Sequence, residues 1–309
     1  MTLSTFCRKA GLIALLTVTL VACSNSSIII SPLYNRLDDQ MRKAFENLGD
    51  FNKSQTNAVN LLLKNFHYWH RHTELPRYAA LLNTVKDTVK VPGKTTQADV
   101  TGWLKTSESF TRAFRECHPV NYANDVIRTF TDDQLTDMHQ SLITRRAKFR
   151  ARYESETKEE RIERRSANII KWASRIGFDF TDEQTLLLNN TFAQQVSLRQ
   201  EYFKLSDDWR TDLFLILEER DSPQLNSQMS THLDKLWHLL ERAHPEQWQA
   251  NRDLWANFSL QFIKSLTPEQ RAYATTWVGK MSNTLITVSN ADTAKPRFGP
   301  LYGCAERAS

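Results

Sequence analysis

A short pattern that is typical of helix starts recurs four times along the chain. Each copy has an apolar residue, then Thr or Asn, two further residues and Gln, and the copies cover residues 51–55, 130–134, 180–184 and 266–270. In such a capping box the Thr or Asn side chain accepts a hydrogen bond from the third helical residue, whose own side chain accepts one in return. The pattern predicts four helix starts, held by Asn52 and Gln55, Thr131 and Gln134, Thr181 and Gln184, and Thr267 and Gln270.

The composition is also that of a helical protein. Only 8 of the 309 residues are glycine, and no stretch alternates apolar and polar residues as a half-buried strand would. We predict an all-α fold, a bundle of roughly ten helices over residues 33–309, with a seam near 118–131 if it divides into two subdomains. Besides the helices behind the boxes, we expect helices at about 33–48, 97–116, 119–129, 132–154, 157–176, 207–219 and 223–243.

Residues 1–22 have the features of a bacterial lipoprotein signal peptide. Arg8 and Lys9 precede an apolar run over residues 10–20, and Leu-Val-Ala-Cys at 20–23 forms a lipobox. We expect cleavage before Cys23 and acylation of that cysteine. Ordinary cleavage without lipidation is one alternative, and a transmembrane anchor is another, although the run is shorter than the about 20 apolar residues that span a bilayer.

Lipidation at Cys23 would give a permanent membrane anchor followed by a tether over residues 23–32. Ser24, not Asp, follows the cysteine, which resembles the signal that sorts lipoproteins to the outer membrane of Gram-negative bacteria. We therefore expect an acyl-anchored protein on the periplasmic face of that membrane.

Two of the four cysteines remain once Cys7 leaves with the signal peptide and Cys23 is acylated. Because exported proteins meet an oxidising compartment, we expect a disulfide between Cys117 and Cys304, with two buried free thiols as the alternative. The formal charge of +5 falls to +3 without Arg8 and Lys9. Such a small excess gives no reason to expect a nucleic-acid partner.

The stretch 67–74 is the densest in polar functional groups. His67, His70 and Glu74 would share one face of a regular helix and could hold a metal ion, although their spacing matches no known zinc signature. The alternative is that Phe66 and Trp69 pack inward while the histidines line the exposed side or cap the helix end. No phosphate loop or nucleophile motif occurs, so we expect no cofactor, no catalytic residue and no enzyme activity.

Basic residues crowd one segment, with several glutamates among them. An exposed helical hairpin, supported by an i,i+4 pair between Glu160 and Arg164, is one interpretation. A surface for anionic headgroups or lipopolysaccharide phosphates is the other. The basic residues are Arg145, Arg146, Lys148, Arg150, Arg152, Lys158, Arg161, Arg164 and Arg165.

The four boxes are similar to the LTxxQ motif of the Spy and CpxP family of periplasmic helical chaperones and stress sensors. The copy at 266–270 matches fully, whereas those at 130–134 and 180–184 have Phe in place of Leu. This resemblance implies a surface that holds unfolded client chains.

A second resemblance covers almost all of the chain after the leader. Three segments carry it, at 33–38 after the lipobox, at 69–79, and from the Lys148–Arg150 helix through 159–161 to the box at 180–184. They resemble a family of proteobacterial lipoproteins classed only as a domain of unknown function. The resemblance implies the acylated Cys23 and no further functional residue.

Three functional hypotheses follow. The first is a lipid-anchored, non-enzymatic helical protein that binds client chains or an envelope partner. The second is a structural lipoprotein that contacts peptidoglycan, lipopolysaccharide or an envelope assembly machine. The third is a metal-dependent enzyme centred on His67, His70 and Glu74.

Overall fold

A computed structural model describes residues 34–291, 293 and 304, and this part of the chain is all-α, without a strand. A single π-helical turn, His70–Glu74, follows Trp69, and a 3-10 turn, Pro119–Tyr122, follows His118. The helices are α1 (Leu37–Glu46), α2 (Lys53–Trp69), α3 (Leu75–Val89), α4 (Gln97–Cys117), α5 (Asn124–Ile127), α6 (Asp132–Glu154), α7 (Lys158–Arg175), α8 (Asp182–Gln194), α9 (Arg199–Glu218), α10 (Leu225–Trp237), α11 (Leu239–Ala243), α12 (Pro245–Lys264) and α13 (Pro268–Ser289).

Several predicted boundaries were wrong. The helix expected over 119–129 is divided into the 3-10 turn and the short α5. The helix expected from 207 begins at Arg199. Its true start was missed because the N-cap residue, Leu198, has no side chain that caps a helix. The helix expected over 223–243 is interrupted at His238, which separates α10 from α11.

All four predicted capping boxes are formed in the structure. Asn52, Thr131, Thr181 and Thr267 each accept from the backbone N–H of the Gln three residues on, and each Gln side chain accepts in return. Two further boxes, Thr96 with Asp99 and Thr157 with Glu160, start α4 and α7. These two have a carboxylate where the four predicted boxes have an amide.

The amides of the four glutamines pair helix starts that are distant in sequence. The side chains of Gln55 and Gln134 exchange two hydrogen bonds of 2.9 Å. Each amide group also donates to a backbone carbonyl beside the partner's box, Gln55 to Thr129 at 2.8 Å and Gln134 to Asp50 at 2.7 Å. Two box starts are therefore locked together, which fixes α2 against α6.

Gln184 and Gln270 repeat the same arrangement at the starts of α8 and α13. Their amides exchange bonds of 2.8 and 2.9 Å. Gln184 also donates to the carbonyl of Ser265, and Gln270 to that of Asp179. Each buried amide oxygen then accepts two hydrogen bonds and each amide group donates two, so the full bonding capacity of these side chains is used.

The α3 and α13 helices pack closely along their length because small residues line the contact. Ala79 on α3 and Ser282 on α13 are each 1% exposed, and the Ser282 hydroxyl donates to the Ala79 carbonyl at 3.1 Å. Leu75, Leu285 and Val288 complete this apolar contact. The pairing fastens the last described helix to the first half of the chain.

The largest apolar cluster joins α2, α6, α9 and α10 through the connection before α6. Val126, Ile127 and Phe130 of that connection are buried within it, against Leu62 and Leu217 among others. The seam near 118–131 stays a prediction. Among the described residues, no helix combines the length and apolarity needed to cross a membrane.

Candidate functional site

The predicted lipidation site, Cys23, and its signal peptide and tether lie outside the described residues. Cys117, at the end of α4, is joined to Cys304 by a disulfide, with their Cα atoms 5.7 Å apart. Phe66 and Trp69 pack against this bridge. The disulfide joins Cys304 to the end of α4, across 187 positions of sequence.

The structure does not bring His67, His70 and Glu74 together as a metal site. His67 Nδ1 lies 3.5 Å from Asp38, while Glu74 is fully buried and accepts from Arg77 at 2.5 Å. Within the described part of the chain, no group of three His, Cys, Asp or Glu residues is placed to hold a metal ion. This geometry gives the metal hypothesis no support. The expected exposure of the histidines was wrong, since His67 and His70 are 7% and 8% exposed.

The π turn explains why the helical spacing failed. Pro76 has no N–H to donate and its ring clashes with the preceding turn of an α-helix. In the π turn the Leu75 N–H reaches back five residues to the His70 carbonyl, and Pro76 falls in the first turn of α3. The extra residue in this turn separates Glu74 from the face that carries His67.

The His70 side chain instead hydrogen-bonds to Tyr34, the first residue that the structure describes. Its Nδ1 is 2.8 Å from the Tyr34 hydroxyl and its Nε2 is 3.2 Å from that of Tyr78. Burial, together with the charges of His67 and Arg71, lowers the pKa of His70 to about 3. A neutral imidazole with both nitrogens in hydrogen bonds has a structural role here.

Arg71 connects the start of the described residues to α13. One of its guanidinium nitrogens donates to the Val288 carbonyl at 3.0 Å, and another donates to the Asn35 side chain at 2.6 Å. Its guanidinium also lies 4.9 Å from the centre of the Tyr34 ring. Tyr34 and Asn35, at the start of the described residues, are thus held beside α13.

Six of the nine basic residues predicted from sequence form, with two arginines of α9, a surface that we call the arginine face. Of the other three, Arg145 and Lys148 line the groove beside the α1–α2 turn. The members of the arginine face alternate with aromatic rings and share a small number of carboxylates. The arginine face consists of Arg146, Arg150, Arg152, Arg161, Arg164, Arg165, Arg199 and Arg210.

One carboxylate serves three of these arginines. Asp207 lies 2.6 Å from Arg150, 3.1 Å from Arg210 and 3.4 Å from Arg146. Burial lowers the pKa of Arg146, the charges of Tyr202 and Asp207 oppose this effect, and those of Arg210 and Arg150 add to it. Three guanidinium groups at this end of the face therefore share one carboxylate.

Aromatic rings support the guanidinium groups. Arg146 and Arg150 lie 4.6 and 5.0 Å from the centre of the Phe203 ring. Arg161 and Arg199 lie 4.5 and 5.7 Å from that of Tyr153. Such contacts favour a cation over a ring face and hold it in place without a counter-ion.

The pair predicted between Glu160 and Arg164 was wrong. The carboxylate of Glu160 accepts from the backbone N–H of Thr157 at 2.7 Å, because it closes the capping box of α7. Arg164 binds Glu156 in two places, at 2.6 and 2.7 Å. Because the carboxylate of Glu160 caps its own helix, it does not form the i,i+4 ion pair that its spacing from Arg164 suggests.

Half of the arginine face has no ion-pair partner among the described residues. Arg146, Arg150, Arg164 and Arg210 pair with three carboxylates, those of Glu154, Glu156 and Asp207, and the other four arginines form no ion pair there. Sequence reasoning found six of the eight from their clustering along the chain. It missed Arg199, because its place over Tyr153 depends on how α9 packs. It also missed Arg210, which lies outside the basic segment and forms an i,i+3 pair with Asp207 on α9.

The fold and the face define an all-α helical protein with an arginine-rich surface and no metal cluster among its described residues. The chain belongs to a family of unknown function, DUF6279, which matches residues 47–242. This range contains the whole arginine face, whereas α12, α13 and Cys304 lie beyond it. No curated protein and no solved structure matches the chain, so the likeness to the Spy and CpxP family rests on the boxes alone.

Proposed function

We propose that this protein is a lipid-anchored, non-enzymatic binding protein on the periplasmic face of the outer membrane. The lipobox ending at Cys23 supports the anchor and the location. The arginine face is the contact surface, and the partner is an acidic component of the envelope.

The single observation that carries the proposal is the shortage of ion-pair partners on the arginine face. The fold collects eight arginines from three helices, and four of them pair with a total of three carboxylates among the described residues. An uncompensated cation close to protein costs hydration energy, and mutual repulsion adds to that cost. An acidic partner relieves both and associates faster through electrostatic attraction.

Unfolded client chains are the alternative partner, and they need exposed apolar surface. Seven large apolar side chains are exposed among the described residues, and they are scattered over α6, α8, α9, α13 and two connections. The groove between the α1–α2 turn and α6 is open and lined mainly by polar and charged residues, such as Glu46, Asp137 and Lys148. These features favour the acidic partner over client chains.

Crosslinking in intact cells, followed by recovery of the full chain, tests the proposal. A face variant carries Gln in place of Arg150, Arg152, Arg164, Arg165 and Arg199. A control variant loses the same charge elsewhere, with Gln in place of the exposed residues Lys64, Lys105, Arg112, Arg175 and Lys280.

We expect the wild-type chain and the control variant to recover the same acidic partner and the face variant to lose it. Equal recovery by all three chains would contradict the proposal. Recovery of many unfolded proteins by all three, with suppression of aggregation by the purified chain, would favour the client alternative instead.

A further inference from the structure

Two members of the arginine face, Arg165 on α7 and Arg199 at the start of α9, combine two features. Each guanidinium lies against an aromatic ring, and among the described residues neither side chain forms an ion pair or a hydrogen bond. Arg164, beside them, is held by Glu156, and Arg150 is held by Asp207. We call Arg165 and Arg199 the arginine pair.

Aromatic rings position the arginine pair. The Arg165 guanidinium lies 4.2 Å from the centre of the Phe192 ring. That of Arg199 lies 5.6 Å from the ring centre of Phe149 and 5.7 Å from that of Tyr153. Stacking occupies the flat face of a guanidinium and leaves its in-plane N–H donors for a ligand.

The surroundings of the arginine pair are electropositive. Packing by the surrounding protein, then the charges of Arg199 and Arg164, lower the pKa of Arg165 to about 10. Burial also lowers the pKa of Arg199, and the charge of Arg164 adds to this effect. Even so, the Arg165 side chain remains exposed and Arg199 is half-buried, so a ligand can reach both.

The start of α9 adds a further preference for an anion. Arg199 is the first residue of this 20-residue helix, and the N-cap residue Leu198 offers no side-chain hydrogen bond to the first turn. Unpaired N–H groups and the helix dipole favour negative charge at such an end. The acidic residue of this first turn is Glu201, and its carboxylate lies 3.5 Å from the imidazole of His244.

We propose that the arginine pair binds the phosphate group of an acidic envelope ligand, a proposal that rests on the proposed function. A phosphate monoester carries about −1.5 to −2 charges and three acceptor oxygens, so it can accept from two guanidinium forks at once. A carboxylate, with one charge and two oxygens, satisfies only one fork. The group can come from a lipid headgroup or from free phosphate.

Calorimetric titration of the full chain in neutral detergent tests this site. Inorganic phosphate is one probe, and micelles doped with a lipid that ends in a phosphate monoester are the other. The pair variant is Arg165→Gln with Arg199→Gln, and its control is Arg112→Gln with Arg175→Gln, which removes two exposed arginines outside the face.

We expect the pair variant to bind the probe roughly tenfold or more weakly than the wild-type chain, and the control variant to bind unchanged, because charge-assisted bidentate contacts are lost only in the first. Binding of inorganic phosphate would identify the free ion as sufficient, and binding of doped micelles alone would identify the headgroup. Equal weakening in both variants, or no binding of either probe by the wild-type chain, would overturn the site.

A stability measurement gives an independent readout. Without phosphate, the pair variant should melt at the same temperature as the wild-type chain or higher, since repulsion is relieved. Phosphate should raise the melting temperature of the wild-type chain only, relative to chloride at equal ionic strength. If phosphate fails to do so while the face variant still loses its cellular partner, this site is wrong and the proposed function stands.

Discussion

The substitution Gln184→Glu separates the two tasks of a paired box glutamine. A glutamate at this position can still accept from the Thr181 N–H, as Glu160 does in the box of α7. A carboxylate cannot donate, so the bonds from Gln184 to the Ser265 carbonyl and to Gln270 are lost. The box survives while the lock between α8 and α13 is broken.

The size of the effect follows from the burial of this side chain. Gln184 is 0% exposed. Two lost hydrogen bonds cost roughly 1 kcal/mol each, and a buried carboxylate next to two acceptor oxygens adds about 1–3 kcal/mol. We expect Gln184→Glu to lower the free energy of unfolding by about 3–5 kcal/mol at pH 8, measured by urea denaturation followed by circular dichroism.

The matched control is Glu160→Gln, which makes the opposite exchange in an exposed box that has no partner. This change should stay within about 0.5 kcal/mol of the wild-type chain. If Gln184→Glu is no more destabilising than its control, the amide crossing contributes nothing and the explanation of the four glutamines is refuted.

Three further predictions concern stability and are checked by urea denaturation. Gly177→Ala should lower the free energy of unfolding by about 1–2 kcal/mol or more, since φ is +83° and the added Cβ would lie 2.7 Å from the Tyr273 hydroxyl. Its control, Gly102→Ala in open space on α4, should raise that free energy by about 0.5–1 kcal/mol, and equal effects of the two changes would contradict this reasoning. Reduction of the disulfide should lower the free energy of unfolding of the wild-type chain by up to about 5 kcal/mol and leave that of Cys117→Ala unchanged. If the reductant also destabilises Cys117→Ala, loss of the disulfide is not the cause. Burial lowers the pKa of His118 to about 4 and that of His70 to about 3, so near pH 6.5 and below the unfolded chain binds these protons before the folded chain does. The free energy of unfolding should therefore fall by roughly 2 kcal/mol per histidine from pH 7 to 5. The same pH dependence of stability in His118→Asn as in the wild-type chain would contradict the contribution of His118.

The helix starts were predictable because a capping box is local. Thr267 and Gln270, for example, act within one turn, and the structure forms that box as the sequence indicates. The pairing of boxes was not predictable from one sequence, because it joins Gln184 to Gln270 across 86 positions. A chemical trace of it is visible in retrospect, since the unpaired boxes have Asp99 and Glu160 where the paired ones have Gln.

The candidate sites divide in the same way. Periodicity placed His67, His70 and Glu74 on one face, and the π turn before Pro76 separated them, because proline disrupts the regular helix that the periodicity assumes. The basic segment was visible in sequence because most of its arginines are close in the chain. Arg199 was not, since only the packing of α9 places it over Phe149 and Tyr153.

Site-specific photocrosslinking in living cells tests the central claim most directly. A photoreactive amino acid replaces Arg152, which is exposed within the arginine face, or Lys280, which is exposed on α13 outside it. We predict one acidic envelope component crosslinked from position 152 and absent from position 280. Identical products from both positions, or none from position 152 while 280 reacts, would contradict the account.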